Sequence, residues 1–216
     1  MLDFNLKDKQ DIYDKSMIYY KIEPIVDYET GKPTMYEILY NNSIPNKVLF
    51  SKVNTTLDLY VFSQLFNWYF KNKKSDNCIF TINCFFETYY LHNSYFNKIL
   101  RICNNLYYEL TEISNWNNYS LNNYNAINSS RVILDDFGTN NHNFDKLIIN
   151  VHAVKLDRIF LDYSTVFLKE LISYLKSKNI KPIFEKIETE SELEKVRACG
   201  CNLVQGFINK KIINFN

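Results

Sequence analysis

The residues of this chain that could carry out chemistry follow short apolar runs. The clearest case is Asp135-Asp136, two adjacent carboxylates that come directly after the apolar segment 132–134. Because like charges side by side repel each other, their position at the end of an apparent strand calls for a compensating cation. Successive side chains of a strand diverge, so the pair could serve two ions.

Other polar side chains occupy the same kind of position, within or directly after an apolar segment that reads as a strand. They are Glu37, Asn83, Glu109, Lys155, Glu185 and Gln205. One such residue alone would be expected to face solvent, but in a parallel barrel the whole set would meet at the carboxyl-end rim, where active sites form. Clustered carboxylates are costly to bury unless cations compensate. Oxygen ligands of this type favour Mg²⁺, Mn²⁺ or Ca²⁺ over zinc or copper.

The elements that must position these residues alternate between strand and helix. Apolar and β-branched patterns predict strands at 17–27, 35–40, 77–84, 105–112, 131–136, 152–160, 181–188 and 201–207, the first two as a hairpin. Helical spacing predicts helices at 44–73, from 85 to about 101, at 163–179 and at 189–200, the last with a Thr189–Glu192 capping box. The segment 113–128 is an Asn-rich helix or loop. This order predicts an α/β fold, and eight strands favour a closed (β/α)8 barrel over an open sheet.

Composition narrows the class of protein further. The chain has 216 residues, 46% of them hydrophobic and 23% charged, with a formal net charge of +1. This is typical of a soluble globular domain, and no basic excess suggests a nucleic-acid polymer as partner. No apolar run approaches the ~18 residues that a bilayer span needs, and no secretory leader is evident. Five cysteines without C-x-x-C spacing suggest reduced thiols. We therefore expect a cytoplasmic protein with no membrane contact, or a soluble domain that lacks the anchor of a larger relative.

Two familiar catalytic motifs can be set aside. The tripeptide Asp136-Phe137-Gly138 occurs in protein kinases, but the chain has only 4 glycines, no Gly-rich phosphate loop and no His-Arg-Asp segment. No G-x-S-x-G motif is present, and His92, His142 and His152 lie in no recognisable catalytic setting.

Taken together, the motifs resemble the EAL domain family, the bacterial cyclic di-GMP phosphodiesterases, over about residues 18–212. The matching segments, in chain order, are EPIVDYETGKPTMYEIL, INC, ELTE, LDDFGT, VKLDRIF, FEKIETESELEKV and LVQGF. The resemblance implies a modified (β/α)8 barrel with an antiparallel first strand, formed by a single domain over 1–216 with residues 1–16 as an N-terminal extension.

The resemblance also implies roles for individual residues. Those implied as metal ligands are Glu37, Asn83, Glu109 and Asp135, with Asp136 shared with a second ion. Those implied as catalytic are Glu37, Lys155 near the attacking water, and Glu185. Those implied as supporting or substrate-binding residues are Glu112, Asp157, Glu188, Gln205 and the position of Asn41. The implied reaction is hydrolysis of cyclic di-GMP to linear pGpG with two Mg²⁺ or Mn²⁺ ions, which would lower a messenger that controls motility and biofilm formation.

Three features depart from the family pattern. Asn41 stands where the family has an arginine that contacts phosphate, residues 139–143 differ from the usual Gly-Tyr-Ser-Ser loop, and Lys186 replaces a glycine. Two hypotheses therefore stay open. One is a metal-dependent phosphodiesterase, and the other is a catalytically impaired regulator that binds cyclic di-GMP or a protein partner. A homodimer or a regulatory partner protein is compatible with both.

Overall fold

The computed structural model describes residues 19–41, 52–72, 78–111, 129–138 and 151–208. Within these residues, eight strands close into a barrel in sequence order. They are β1 (Tyr19–Asp27), β2 (Lys32–Asn41), β3 (Ile79–Cys84), β4 (Leu106–Leu110), β5 (Val132–Phe137), β6 (Ala153–Leu156), β7 (Lys181–Phe184) and β8 (Leu203–Val204). The helices on the outside are α1 (Thr55–Asn72), α2 (Phe86–Leu91), α3 (Asn93–Ile102), α4 (Thr165–Ser177) and α5 (Glu190–Ala198).

The first strand runs against the rest of the barrel. β1 pairs antiparallel with both β2 and β8, and every other neighbouring pair is parallel. A tight turn makes this possible, because the Asp27 carboxylate accepts hydrogen bonds from the amides of Glu29 and Thr30, and Gly31 has a φ of +67°. The predicted fold class, including the antiparallel first strand, is confirmed.

The hydrophobic core has two parts. A large aromatic cluster between strands and helices includes Phe62, Tyr89, Phe96 and Tyr108, whose rings meet mainly edge to face or tilted. A smaller cluster draws buried residues from five strands, namely Ile25, Met35, Ile133, Ala153 and Ile183. This smaller cluster fills the inside of the barrel and forms an apolar layer beneath the barrel mouth, which we call the floor.

Several predicted strands prove shorter than their sequence pattern. The strand predicted at 201–207 is confirmed only at Leu203–Val204. The prediction at 152–160 was wrong beyond Leu156, because the Asp157 carboxylate accepts a hydrogen bond from the Ile159 amide (2.9 Å) and starts a 3-10 helix, Arg158–Asp162. The prediction at 181–188 was wrong beyond Phe184, and Lys186 has a φ of +57°, outside the range of a strand.

Helices lie where helical spacing predicts them, with two differences: the stretch predicted from 85 to about 101 is divided at His92 into α2 and α3, and the helix predicted at 44–73 begins, among the described residues, at Thr55. The helix predicted at 163–179 spans Thr165–Ser177, and the Thr189–Glu192 capping box is formed as predicted. The Asn-rich segment 113–128 lies outside the described residues, as do Glu112 and the loop 139–143. Among the helices that the structure describes, none is long and apolar enough to cross a membrane.

Candidate functional site

The strand period of two places a polar layer directly above the apolar floor. Side chains two residues apart lie on the same face of a strand. Four strands carry a floor residue followed two positions later by a polar one, in the pairs Met35 and Glu37, Ile133 and Asp135, Ala153 and Lys155, Ile183 and Glu185. The polar residues are therefore raised into the barrel mouth at the carboxyl ends of the parallel strands.

At the centre of this layer lies the ammonium group of Lys155, whose side chain is only 1% exposed. Its Nζ lies 2.6 Å from Glu109 Oε2, 2.9 Å from Glu185 Oε1, 3.0 Å from Asp135 Oδ1 and 3.1 Å from Glu37 Oε2. We call these five residues the Lys155 ring. Four carboxylates against one ammonium leave an excess of negative charge in a buried place.

Glu37 is the most fully hydrogen-bonded carboxylate of the Lys155 ring. The side-chain amide of Asn83 donates to Glu37 Oε1 (2.6 Å), and that of Gln205 donates to Glu37 Oε2 (2.6 Å). Burial alone would raise the pKa of Glu37, but Lys155 and these two amides outweigh it and hold the pKa below its ordinary value. Glu37 therefore stays ionised and anchors the ring.

The other three acids of the ring share the single positive charge of Lys155. Burial, together with the neighbouring carboxylates, raises the pKa of Asp135 to about 6, that of Glu185 to about 8 and that of Glu109 well above its ordinary value. Burial would lower the pKa of Lys155, but the surrounding carboxylates raise it well above the usual range. Lysine alone cannot keep all four acids ionised, and an additional cation would.

The donor chemistry of the layer fits a hard divalent ion. Four buried oxygens of this layer have no hydrogen-bond partner among the described residues, namely Asn83 Oδ1, Glu109 Oε1, Glu185 Oε2 and Gln205 Oε1. Such atoms are costly to bury unless a ligand satisfies them, and carboxylate and amide oxygens are what Mg²⁺ and Mn²⁺ bind. With Lys155 drawing the acids together, the described ranges contain no group of three Asp, Glu, His or Cys residues already arranged around a metal position. Ion binding would thus require these carboxylates to turn from the lysine toward the ion.

A second lysine forms a separate cluster at the rim. The Nζ of Lys186 lies 2.5 Å from Asp136 Oδ1 and 2.5 Å from Asp157 Oδ2. Burial would lower the pKa of Lys186, but the two aspartates raise it above its ordinary value. We call these three residues the Lys186 cluster. Asp135 and Asp136, adjacent in sequence, thus face different lysines.

The remaining predicted residues are placed as follows. Gln205 joins the ring through Glu37, whereas Glu188 is half-exposed and lies 3.8 Å from Arg158 Nη1 at the start of α5. Glu112 and the side chain of Asn41 lie outside what the structure describes, so their roles stay predictions.

Two site residues were not predicted from the sequence. Lys186 was noted only as a replacement for glycine, and its ion pairs depend on a backbone conformation that the pattern does not reveal. Glu23 lies opposite Glu37 in the β1–β2 register, and its Oε2 lies 3.4 Å from the amide nitrogen of Gln205. The inward alternation Glu23 and Ile25 on β1 was the available signal for Glu23.

Solved structures of similar fold come from several bacteria. The manganese and cyclic di-GMP complex of Klebsiella pneumoniae BlrP1 is 16% identical, with a TM-score of 0.75 over 91% of this chain and 56% of its own. The Bacillus subtilis YkuI protein, with an EAL domain and in complex with cyclic di-GMP and calcium, is 15% identical, with a TM-score of 0.73 over 90% of this chain and 59% of its own. The chain therefore spans little more than half the length of these two proteins.

A third structure corresponds to this chain along nearly its whole length. The EAL domain of Mycobacterium smegmatis DcpA is 17% identical, with a TM-score of 0.69 over 92% of this chain and 97% of its own. At these identities the likeness establishes the barrel fold. No sequence among the curated proteins matches this chain. The model of the EAL domain matches residues 10–211, nearly the full sequence, and the chain therefore belongs to the EAL domain family.

Proposed function

We propose that this protein is a metal-dependent phosphodiesterase that hydrolyses cyclic di-GMP to linear pGpG. The observation that carries the proposal is the Lys155 ring, a buried group of four acids with one cation and with unpartnered oxygens at the mouth of the barrel. Cyclic di-GMP together with manganese or calcium in the BlrP1 and YkuI structures supports the choice of substrate and cofactor.

The residues that would hold Mg²⁺ or Mn²⁺ are Glu37, Asn83, Glu109 and Asp135, with Asp136 at the edge of a second position. A bound divalent ion would supply Lewis-acid stabilisation of charge on the phosphoryl oxygens and would lower the pKa of the attacking water. The protein's share is to hold these side chains close together in a largely buried layer, from which the carboxylates would turn toward the ion.

Lys155 would act on the reacting groups directly. The surrounding acids keep its Nζ protonated, so it can donate hydrogen bonds that orient the attacking water and stabilise negative charge developing on the phosphate. Glu185 Oε2, which has no hydrogen-bond partner, is available to accept a hydrogen bond from the same water. Asn83 and Gln205 would hold Glu37 in its ionised state.

One observation favours the second candidate, a catalytically impaired regulator that binds cyclic di-GMP. Asp136, the residue predicted to share a second ion, is already paired with Lys186. If the second ion were indispensable, the site could bind the nucleotide without cleaving it.

Chromatography of cyclic di-GMP incubated with the purified full chain and Mn²⁺ tests the proposal. We expect pGpG to form, to disappear in excess chelator, and to fall by at least about 100-fold in Asp135→Asn, because an ion ligand is lost. Glu170→Gln, an exposed acid on α4, is the matched control and should keep full turnover. Tight nucleotide binding without pGpG would establish the regulator instead, and the absence of both would refute the two functions together.

A further inference from the structure

We propose that Lys186 supplies, from within the chain, the positive charge that a second metal ion would bring to Asp136, so that the protein binds one divalent ion rather than two. This inference rests on the proposed function, since it concerns the number of ions at the same site. Lys186 would thereby set the number of metal ions that the protein binds, a role that its position outside the strands did not suggest.

The geometry of the Lys186 cluster carries the inference. Lys186 Nζ lies 2.5 Å from one oxygen of Asp136, near the end of β5, and 2.5 Å from one oxygen of Asp157, directly after β6. An ammonium that touches both acids occupies the place where a cation shared by them would sit. A divalent ion could enter only by displacing it, against both electrostatic repulsion and overlap of the two cations.

The backbone holds both ends of this ion pair in uncommon conformations. Asp136 has a φ of +46° and Lys186 a φ of +57°, a region that residues with a Cβ seldom adopt. Such conformations persist only where the surroundings compensate for their cost. The two turned residues bring their side chains together across the rim, and the ion pairs of Lys186 with Asp136 and Asp157 contribute part of this compensation.

The two lysines divide the adjacent aspartates between them. Lys155 contacts Asp135 and Lys186 contacts Asp136. The sequence predicts that Asp135 and Asp136 serve two cations. In this proposal, one of the two is the ammonium of Lys186 and the other is the metal ion. The buried oxygens of this layer without a hydrogen-bond partner in the described residues belong to Asn83, Glu109, Glu185 and Gln205. These residues lie at the Lys155 ring, so the single metal ion would bind there and not at the Lys186 cluster.

Equilibrium dialysis of the full chain against Mn²⁺, with the bound metal counted by atomic emission, tests this directly. We expect one Mn²⁺ per chain in the wild type and two in Lys186→Gly, which removes the ammonium and relaxes the positive φ. Lys186→Met, which keeps the length of the side chain but not the charge, should also gain an ion, with an affinity at least 10-fold above that of any second site in the wild type. In Lys186→Gly with Asp136→Asn, the count should return to one.

The outcomes separate this inference from the proposed function. Two ions in the wild type would overturn the inference and leave the metal-dependent function standing. One ion in every variant would also overturn it, because removing Lys186 would then open no position. No bound Mn²⁺ in any variant would overturn both. Lys169→Met, an exposed lysine on the outer helix α4, changes the net charge equally and should leave the count at one.

Discussion

The two lysine clusters use the same pair of chemical groups in opposite surroundings. In the Lys155 ring the ammonium is 1% exposed and contacts four acids, whereas in the Lys186 cluster the lysine side chain is 53% exposed and contacts two. Water screens the second cluster and not the first. Similar ion-pair distances therefore correspond to very different energies, and only the buried cluster has a strong need for additional positive charge.

The difference also separates two ways of preparing a site. The ring is built on strand positions whose direction is fixed by the barrel, so its acids converge whether or not this convergence is favourable. In the Lys186 cluster, Asp136 lies near the end of β5, Asp157 follows β6 and Lys186 follows β7, and a positive φ at Asp136 and at Lys186 turns the backbone so that the charges meet. The first holds unfavourable electrostatic energy that a bound cation would relieve, whereas in the second the lysine already balances part of the negative charge.

The largest predicted effect is that of Lys155→Met. Removal of the only cation of a buried group costs roughly 3–5 kcal/mol when the opposite charges stay behind. We expect the metal-free variant to unfold at a clearly lower temperature at pH 8, and its turnover to fall at least about 100-fold. Thermal unfolding with and without Mn²⁺ is the measurement, and Mn²⁺ should stabilise the variant more than the wild type. An unchanged melting temperature with and without Mn²⁺ would show that the buried contacts of Lys155 do not contribute to stability.

The matched control for this substitution is Lys169→Met, an exposed lysine on α4. It should change the free energy of unfolding by less than about 0.5 kcal/mol, as is usual for surface positions. A loss as large as that of Lys155→Met would show that net charge, and not the buried contact, governs stability.

The sequence predicts the ring well and the Lys186 cluster poorly, for physical reasons. Glu37, Asp135 and Lys155 each follow an inward apolar residue by two positions, and strand geometry alone then brings them together. Lys186 follows a strand that ends two residues earlier, and its direction depends on a positive φ that nothing in the pattern KPIFEK reveals. Asp157 was likewise assigned to a strand, because the hydrogen bond that ends β6 comes from its own side chain.

A buried acid outside both clusters provides an intermediate case. Asp58 on α1 is buried and accepts a hydrogen bond from the Phe85 amide (2.8 Å), and burial is the main cause that raises its pKa to about 6. Because the folded protein binds this proton more tightly than the unfolded chain, the contribution of Asp58 to stability is present below about pH 4 and is lost as the pH rises through about 6.

Substitution of this residue should therefore flatten the pH profile. Asp58→Asn keeps an acceptor for the Phe85 amide but cannot ionise, so its unfolding free energy should decline less than that of the wild type between pH 4 and pH 7. The expected difference is on the order of 2 kcal/mol, measured by denaturant unfolding across this range. Parallel profiles for the two proteins would mean that Asp58 does not titrate in the folded state.

The smallest predicted effect is that of Lys186→Met on stability. An ion pair at this exposure contributes roughly 0–1 kcal/mol, and salt screens it. We expect the free energy of unfolding to fall by less than about 1 kcal/mol in low salt, and the difference to shrink in 1 M NaCl. A loss comparable to that of Lys155→Met would erase the distinction between the two clusters.

Anomalous diffraction from crystals grown with Mn²⁺ and cyclic di-GMP would test the metal-dependent site most directly. The predicted result is a manganese peak within about 2.5 Å of oxygens of Glu37, Asn83, Glu109 and Asp135, next to a phosphate of the nucleotide, with Lys186 still on Asp136. Cyclic di-GMP bound at the barrel mouth without manganese, with Lys155 still holding all four acids, would contradict metal-dependent hydrolysis at this site.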